Sequence, residues 1–236
     1  MCMKSKLLQI ILCASFLFTP VLKASEKDIY EFSWLDPDKE VYVLQNRKFR
    51  KVSHLHLNIG GGITTSGAFV DATSLQGRVG YFFTEDLGLE GMYSKNSGKE
   101  NDTAAGVRNP GGAGSKPFRR IVDSYMGGML LWSPFYSKIN TFNKIVYMDW
   151  IFGLGYAQLT EHNNKLELPS GSNDTTQTTE KHSGLMWDVG MKFYIDESFS
   201  IRTDLTAIHY SATKVSTTGT AINSNFDATI ALGYAF

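Results

Sequence analysis

Apolar and polar residues alternate along most of the chain after about residue 52. The alternation is clearest in the last eleven residues. There, every second residue from Phe226 to Phe236 is apolar, and the residues between them, from Asp227 to Ala235, are small or polar. A period of two is the spacing of side chains on one face of a β-strand. The chain is therefore predicted to end in a strand with one apolar face and a C-terminal aromatic residue.

The same alternation recurs earlier in the chain and predicts about eight strands in total. The earlier strands begin near residue 53 and then cover about 75–83, 87–93, 121–132, 146–156, 185–193 and 199–207. In the fourth of these strands, Tyr125, Met129 and Leu131 are predicted to face outward. Residues 133–138 are predicted to connect that strand to the fifth.

Two kinds of connection separate the predicted strands. Residues 84–86 and 196–198 are short and predict tight turns. Residues 96–117, 158–181 and 212–223 are polar and lose the period of two, which predicts long exposed loops. Short turns alternating with long loops place the two kinds of connection on opposite sides of the predicted sheet.

These features predict an all-β fold, a transmembrane up-and-down antiparallel β-barrel of about eight strands. Its apolar side chains face lipid, and its polar and charged side chains line the lumen. A soluble eight-stranded barrel is the alternative, but it would bury its apolar face and expose polar residues. We expect short periplasmic turns, long extracellular loops and, because the strand number is even, two periplasmic termini.

The final strand resembles the targeting strand of bacterial outer-membrane barrels, which the barrel-assembly machinery reads as an edge to pair with. The predicted assembly signal consists of its large outward residues, Ile230, Leu232, Tyr234 and Phe236. This strand indicates a bacterial outer-membrane location and makes the assembly machinery an expected partner during biogenesis.

The first 24 residues predict a secretory signal peptide. Lys4 and Lys6 precede a mostly apolar run over residues 7–18, which is too short to span a bilayer. The predicted domains are a signal peptide at 1–24, a periplasmic N-terminal segment at 25–51 and the barrel at 52–236. For residues 25–51, a cap on the periplasmic mouth, a contact with a neighbouring protomer and a flexible leader all remain open.

Composition narrows the class of protein further. Both cysteines, Cys2 and Cys13, lie in the predicted signal peptide, so the mature chain carries no thiol or disulfide. Removal of Lys4, Lys6 and Lys23 from 23 basic residues leaves 20 against 23 acidic ones, a net charge of −3. Nothing in this balance favours nucleic acid as a partner.

Eight charged residues at inward positions are predicted to form an ion-pair network in the lumen: Arg78, Glu90, Asp149, Asp188, Lys192, Arg202, Asp204 and Asp227. An eight-stranded barrel is only wide enough for side chains to fill, so these groups should pair with one another. A narrow path for ions or solutes is the alternative. Alternation also places His54 and His56 in the lumen, but no third ligand is specified, so neither a metal nor a cofactor is expected.

Four stretches of the chain carry a family resemblance over roughly residues 40–156. They are 41–49 (VYVLQNRKF), 80–85 (GYFFTE), 132–139 (WSPFYSKI) and Asp149 followed by 153–155 (GLG). In order and spacing they resemble a small outer-membrane β-barrel family found mainly in myxobacteria and related predatory bacteria. The resemblance implies fold and location only, because such families carry no known reaction.

Two functions from different classes are compatible with this pattern. The first is a non-enzymatic barrel with a structural or interaction role, or a narrow porin-like pore, with or without associated lipid. Outer-membrane lipid and lipopolysaccharide are its expected partners, and association between protomers is left open beside a monomer. No catalysis is expected.

The second function is a lipid-modifying enzyme on the same scaffold. His209 and Ser211 are predicted to face lipid at a strand end, and they resemble the His-x-Ser pair of outer-membrane lipid A deacylases, in which His is the base for a Ser nucleophile. The match does not continue. Ala212 stands where that motif has Asn, and residues 212–236 contain no Glu to orient the His.

Overall fold

The computed structural model describes residues 47–65, 67, 69–108, 115–141, 144–168, 176–214 and 219–236. The predicted signal peptide at 1–24 and residues 25–46 of the predicted N-terminal segment lie outside the described residues, so both stay predictions. Residues 47–236 form one compact unit.

Eight antiparallel strands close into a barrel in which each strand pairs with its neighbours in sequence and the first pairs with the last. The strands are β1 (Leu55–Thr65), β2 (Val70–Phe82), β3 (Leu87–Glu100), β4 (Arg120–Thr141), β5 (Lys144–Asn163), β6 (Thr178–Tyr194), β7 (Phe199–Thr213) and β8 (Thr220–Ala235). A short helix, α1 (Asp102–Arg108), follows β3, and a 3₁₀ helix covers Lys165–Glu167. None of the described helices is long and apolar enough to cross a membrane. The predicted up-and-down barrel of eight strands is confirmed.

Side chains alternate between the outer surface and the lumen along most of the wall. In β1, Ile59 is 70% exposed, whereas Asn58 next to it is 3% exposed. In β8, Leu232 is 67% exposed and Asp227 is 1% exposed. Apolar groups therefore cover the outside and polar groups the inside, which is the reverse of a soluble barrel and the arrangement that a lipid solvent requires.

The two ends of the barrel differ in their connections. Residues 83–86 and 195–198 turn tightly at one end, called here the turn end, where β1 begins and β8 finishes. The connections after β3, β5 and β7 lie at the other end, called here the loop end. They are shorter than predicted, because β3 continues to Glu100, β5 to Asn163 and β6 begins at Thr178. Strands that continue beyond the lipid have two polar faces, so hydrophobic alternation does not report them.

The predicted outward face of β4 is wrong. Tyr125, Met129 and Leu131 lie inside the barrel and are at most 2% exposed, whereas Met126 and Leu130 face outward. The pairing with β5 skips one residue between Val122 and Ser124, and such a β-bulge reverses the parity of the residues after it. The inward apolar residues join others from β2, β3, β5, β6 and β7 in a buried apolar cluster inside the barrel.

The strands β4 and β5 project beyond the turn end as a two-stranded hairpin. Residues 133–138, predicted as a connection, are part of β4, which continues after a second irregularity between Trp132 and Phe135. Pairing with β3 stops at Trp132, and pairing of β5 with β6 begins only at Met148. Residues 138–141 of β4 and 144–147 of β5 pair with each other beyond the last residue paired with β6, and they are called the ribbon below.

A glycine permits the barrel to close between β1 and β8. A Cβ atom on Gly62 would lie 1.9 Å from the carbonyl oxygen of Ala228 in the facing strand, far inside a normal contact distance. Gly77 in β2 is different, since no atom lies within 4 Å of the position of its absent Cβ. The closing pair of strands therefore depends on the missing side chain at residue 62.

We expect Gly62→Ala to lower the free energy of unfolding by about 1–3 kcal/mol, because the methyl group forces β1 and β8 apart. Gly77→Ala is the matched control and should change stability by no more than about 0.5 kcal/mol. Urea unfolding of both variants in lipid vesicles, followed by tryptophan fluorescence, measures the difference. Equal urea midpoints for the two variants would show that a side chain at residue 62 does not disturb the pairing of β1 with β8.

Candidate functional site

The centre of the lumen holds two arginines and three carboxylates, called the central cluster: Arg78, Glu90, Asp188, Arg202 and Asp204. The guanidinium of Arg78 donates to Glu90 Oε1 at 3.1 Å and to Asp188 Oδ1 at 3.2 Å. Arg202 donates to Glu90 Oε2 at 2.6 Å and to Asp188 Oδ2 at 3.1 Å. It also donates through Nε to Asp204 Oδ1 at 2.7 Å. One continuous hydrogen-bonded network therefore joins all five side chains.

The central cluster spans the barrel from wall to wall. In a ring of eight strands, β2 lies opposite β6 and β3 lies opposite β7. The contact between Arg78 and Asp188 crosses the first diameter, and the contact between Arg202 and Glu90 crosses the second. No side chain of the cluster is more than 2% exposed. The lumen is thus filled at this level by protein atoms.

Burial makes the completeness of this network important. Each buried ion loses its hydration, and mutual attraction offsets that loss only when the remaining donors and acceptors are also satisfied. Arg78 supplies such bonds to Gln76 Oε1 at 3.2 Å and to Thr206 Oγ1 at 2.8 Å. Thr206 in turn donates to Asp188 Oδ1 at 2.6 Å. Neither Gln76 nor Thr206 belongs to the network of charged residues predicted from the sequence.

A second polar group lies toward the loop end and contains Asp227. Tyr125 donates to the Asp227 carboxylate, as do Gln76 Nε2 at 3.1 Å and Asn225 Nδ2 at 2.9 Å. No ion pair joins Asp227 to either arginine among the residues described. Asp227 was predicted in the same network as the arginines, and Gln76 links the two groups through hydrogen bonds to Asp227 and Arg78. Tyr125 was missed because the bulge reversed its face.

A third group closes the turn end and contains Asp149. Lys51 donates through Nζ to Asp149 Oδ2 at 2.9 Å and to Ser133 Oγ at 2.6 Å, and neither charged side chain has any exposed surface. The ring of Phe49 stacks on that of Tyr194 with centroids 4.8 Å apart. Burial lowers the pKa of the Lys51 ammonium, and the Asp149 carboxylate opposes that shift.

Residues 47–52, called the plug, therefore cover the lumen at the turn end. Arg47 adds an ion pair to Glu85 at 3.1 Å in the adjacent turn. The backbone N–H of Lys51 donates to the same carboxylate at 3.1 Å. Of the three roles left open for the N-terminal segment, these contacts support a cap for residues 47–52. Sequence alternation gave no sign of Lys51, because the plug is not a strand.

Lys192 and His56 lie next to each other in the lumen, whereas His54 lies elsewhere. Lys192 Nζ lies 3.0 Å from His56 Nδ1 inside the lumen. His54 is wrongly predicted to face the lumen, since its Nδ1 lies 2.6 Å from the carbonyl oxygen of Phe236 at the turn end. Ser53, with φ of 62°, turns the chain just before β1 begins, so strand parity does not extend back to His54. The two histidines do not share a site.

The loop end of the lumen holds one group with suitable metal-ligand atoms, Glu161, Glu180 and His182. Glu161 already pairs with Arg120 Nε at 2.9 Å and accepts from Tyr210 at 3.0 Å. His182 Nε2 lies 3.1 Å from Glu161 and 3.3 Å from Glu180. A metal ion would have to displace a guanidinium from a carboxylate with no exposed surface. The chemistry of this group therefore fits an internal ion-pair network better than a metal site.

The geometry around His209 does not support a hydrolytic pair with Ser211. His209 Nε2 accepts a hydrogen bond from the Trp187 indole at 2.8 Å, and its Nδ1 lies 2.8 Å from Ser224 Oγ. An indole N–H only donates, so Nε2 carries the lone pair and the neutral ring holds its proton on Nδ1. His209 therefore donates to Ser224 and takes no proton from it. No hydrogen bond joins His209 to Ser211, although the structure covers both.

A closed eight-stranded wall, an apolar outer surface and a charged lumen define the class of integral membrane β-barrels. Within that class, residues 45–236 match the family model described as "Outer membrane protein beta-barrel domain". The chain belongs to this family, which points to the bacterial outer membrane as its location.

Solved structures of other barrels resemble this chain at low sequence identity. The N-terminal β-barrel domain of Pseudomonas aeruginosa OprF is 14% identical, with a TM-score of 0.48, and the match covers 78% of this chain and 98% of that one. Neisserial surface protein A is 10% identical, with a TM-score of 0.47 and coverages of 78% and 96%. Ail of Yersinia pestis is 13% identical, with a TM-score of 0.39 and coverages of 78% and 99%. No curated protein matches this chain.

Because the central cluster is buried, we expect the loss of one of its cations to destabilise the barrel far more than the loss of a cation from an exposed ion pair. Arg202→Met leaves the buried Glu90, Asp188 and Asp204 short of a cation, so we expect a loss of about 3–5 kcal/mol. Lys95→Met removes a pair with Asp123 whose lysine side chain is 57% exposed to solvent, so it should change stability little. Urea unfolding in lipid vesicles tests both variants. Similar losses for the two would show that the central cluster does not stabilise the barrel.

The plug predicts a specific effect of Asp149→Asn. The substitution removes the carboxylate that compensates the buried Lys51, so the plug should leave the lumen more often and trypsin should cleave after Arg47 or Lys51 faster. A destabilisation of about 3 kcal/mol corresponds to roughly 100-fold faster cleavage when opening is fast. Asp123→Asn, in an exposed pair, is the control. An unchanged cleavage rate would mean that Asp149 does not hold the plug.

Proposed function

We propose that this protein is a non-catalytic outer-membrane barrel with a closed lumen, which acts through its surfaces as a structural or interaction protein. The observation that carries the proposal is the central cluster, which crosses both diameters of the lumen at hydrogen-bonding distance. An open pore needs a continuous water path, and this level of the barrel leaves no exposed side chain to line one.

Two further layers support a closed lumen. The plug covers the turn end through Lys51 and Asp149, and the buried ion pair between Arg120 and Glu161 lies inside the lumen at the loop end. Conduction would require several buried ion pairs to separate, each at a cost of several kcal/mol. The narrow-pore alternative therefore needs a second conformation of the lumen. The hydrogen-bonding of His209 supports a non-enzymatic role over the lipid-modifying alternative.

We also propose an orientation of the barrel in the outer membrane, which goes beyond the family assignment. We place the turn end and both termini in the periplasm and the loop end outside the cell, because barrels of this class have short periplasmic turns and long external loops. In this setting, lipid and lipopolysaccharide surround the exposed apolar wall. Ile230, Leu232 and Tyr234 are exposed on the outer face of β8, and Phe236 follows the strand directly. The assembly machinery is proposed to bind there. The narrower resemblance to barrels of myxobacteria and related bacteria stays a prediction.

Electrical recording tests the closed lumen. The mature protein is refolded in detergent, its fold is verified by a mobility shift between unheated and boiled samples on a denaturing gel, and it is inserted into a planar lipid bilayer. We expect no current steps from folded protein, while a general porin in the same bilayer gives them. Stable steps that scale with salt concentration would contradict the proposal and make the protein a pore.

A further inference from the structure

The outer wall of the barrel changes from apolar to polar near the loop end. Register pairs Tyr93 of β3 with Met126 of β4, Met126 with Gln158 of β5, and Gln158 with Ser183 of β6, so these residues form one row across the wall. The next row toward the loop end is polar throughout. Tyrosine is enriched where the hydrocarbon of a bilayer meets the lipid head groups. The row therefore marks the loop-end boundary of the apolar band on this side of the barrel.

An apolar groove lies in the outer wall on the turn-end side of this row. Its volume is about 620 Å³, and its lining includes Gly77, Val79, Gly91 and Tyr156. No atom lies within 4 Å of the position of the absent Cβ atom at Gly77 or at Gly91. Glycine weakens a strand, and the packing of the barrel does not require it at these two positions. The missing side chains instead shape the outer surface and leave room for an apolar chain.

A polar site adjoins the groove on its loop-end side. Its volume is about 360 Å³, and Tyr93, Met126 and Gln158 line both the site and the groove. The other outward residues of the polar site are Ser124, Thr160, Lys181 and Ser183. An apolar groove that continues into a polar site at the boundary of the apolar band matches the tail and the head of a lipid.

The polar side chains of this site are available to a ligand. Within the described part of the chain, no residue forms a hydrogen bond or an ion pair with the side chain of Gln158, Thr160 or Lys181. Lys95 is different, because its Nζ lies 2.7 Å from Asp123 Oδ2. Lys181 therefore supplies the positive charge that is not already compensated, and such a charge beside the head groups attracts an anionic lipid.

The width of the polar row favours a large head group. Lys95, Ser124, Thr160 and Lys181 are paired in succession across four strands. Three strand spacings of about 4.8 Å each separate the ends of this row by about 14 Å. A phosphate on Lys181 leaves the hydroxyls of Ser124 and Thr160 free, and sugar hydroxyls of the same head group could bond to them. The site therefore suits a phosphorylated glycolipid better than a lipid with a small head group.

We propose that the groove and the polar site together bind one molecule of lipopolysaccharide. A phosphate of its lipid A part binds Lys181, sugar hydroxyls bond to Ser124 and Thr160, and an acyl chain lies over Gly77 and Gly91. The choice of this lipid rests on the proposed function, in which the loop end lies outside the cell. The closed barrel thereby gains a specific contact with the outer leaflet.

Native mass spectrometry of the mature protein, refolded in detergent, tests the proposal. The probes are lipid A with its phosphates intact, dephosphorylated lipid A and phosphatidylglycerol. Lys181→Gln removes the cation, and Gly91→Leu fills the groove. We expect one bound lipid A per barrel, and about tenfold weaker binding for each variant and for the dephosphorylated lipid, because each change removes one charged or apolar contact.

Two control variants carry the same kinds of change elsewhere. Lys214→Gln alters an exposed lysine that follows β7, and Ala228→Leu enlarges an exposed residue of β8, the strand opposite β4. Both should bind lipid A as the unchanged protein does, and the heat shift on a denaturing gel verifies that every variant is folded. No binding of lipid A, equal binding of its dephosphorylated form, tighter binding of phosphatidylglycerol, or equal affinities for variants and controls would each overturn the proposal.

Failure of this proposal is distinguishable from failure of the proposed function. Binding of lipid A in detergent does not depend on whether the lumen conducts. A barrel that binds no lipid A and gives no current steps is closed but lacks the lipid site, and this result overturns the lipid proposal alone. A barrel that gives current steps and binds lipid A through Lys181 overturns the closed lumen and supports the lipid site.

Discussion

The structure depends on the pairing of buried charges across a narrow lumen. Arg78 reaches Asp188 on the opposite wall, and Arg202 reaches Glu90 across the other diameter, so opposite strands are connected through the centre as well as around the ring. A barrel of eight strands leaves room for these side chains and little else. Since an unpaired ion at this depth would cost several kcal/mol, the charges and the closed barrel stabilise each other.

The same constraint explains why the ends of the barrel are closed. Asp149 lies at the turn end, away from both arginines that were predicted as its partners, and it receives its cation from the plug through Lys51. Glu161 at the loop end receives Arg120. Asp149 and Glu161 thus each pair with a cation at their own level of the lumen, whereas Asp227 accepts hydrogen bonds from neutral side chains. In the proposed closed barrel, the outer surface is where the protein contacts other molecules.

The sequence predictions are correct where the alternation of residues depends only on which side of the strand faces lipid. The lumen positions of His56 in β1, Arg78 in β2 and Asp227 in β8 were predicted correctly, because no bulge interrupts the pairing of β1 with its two neighbours or of β2 with β3, and alternation there reports lipid on one side and lumen on the other. In β4, one extra residue near Asp123 reversed the faces of Tyr125 and Met129, and no local pattern marks a bulge of this kind. Strand ends were also missed, because polar solvent on both faces removes the alternation.

The sequence by itself determined the fold class, the approximate strand number, the outward faces of most strands and the inward position of the charged residues in the central cluster. These properties depend on the period of two and on side-chain polarity, which are local. Only the tertiary structure decided that Asp227 binds Tyr125, that Lys51 closes the turn end, that His209 pairs with Ser224 and that a ribbon leaves the wall. Partners on opposite strands are set by register, bulges and closure of the barrel, and these are properties of the whole chain.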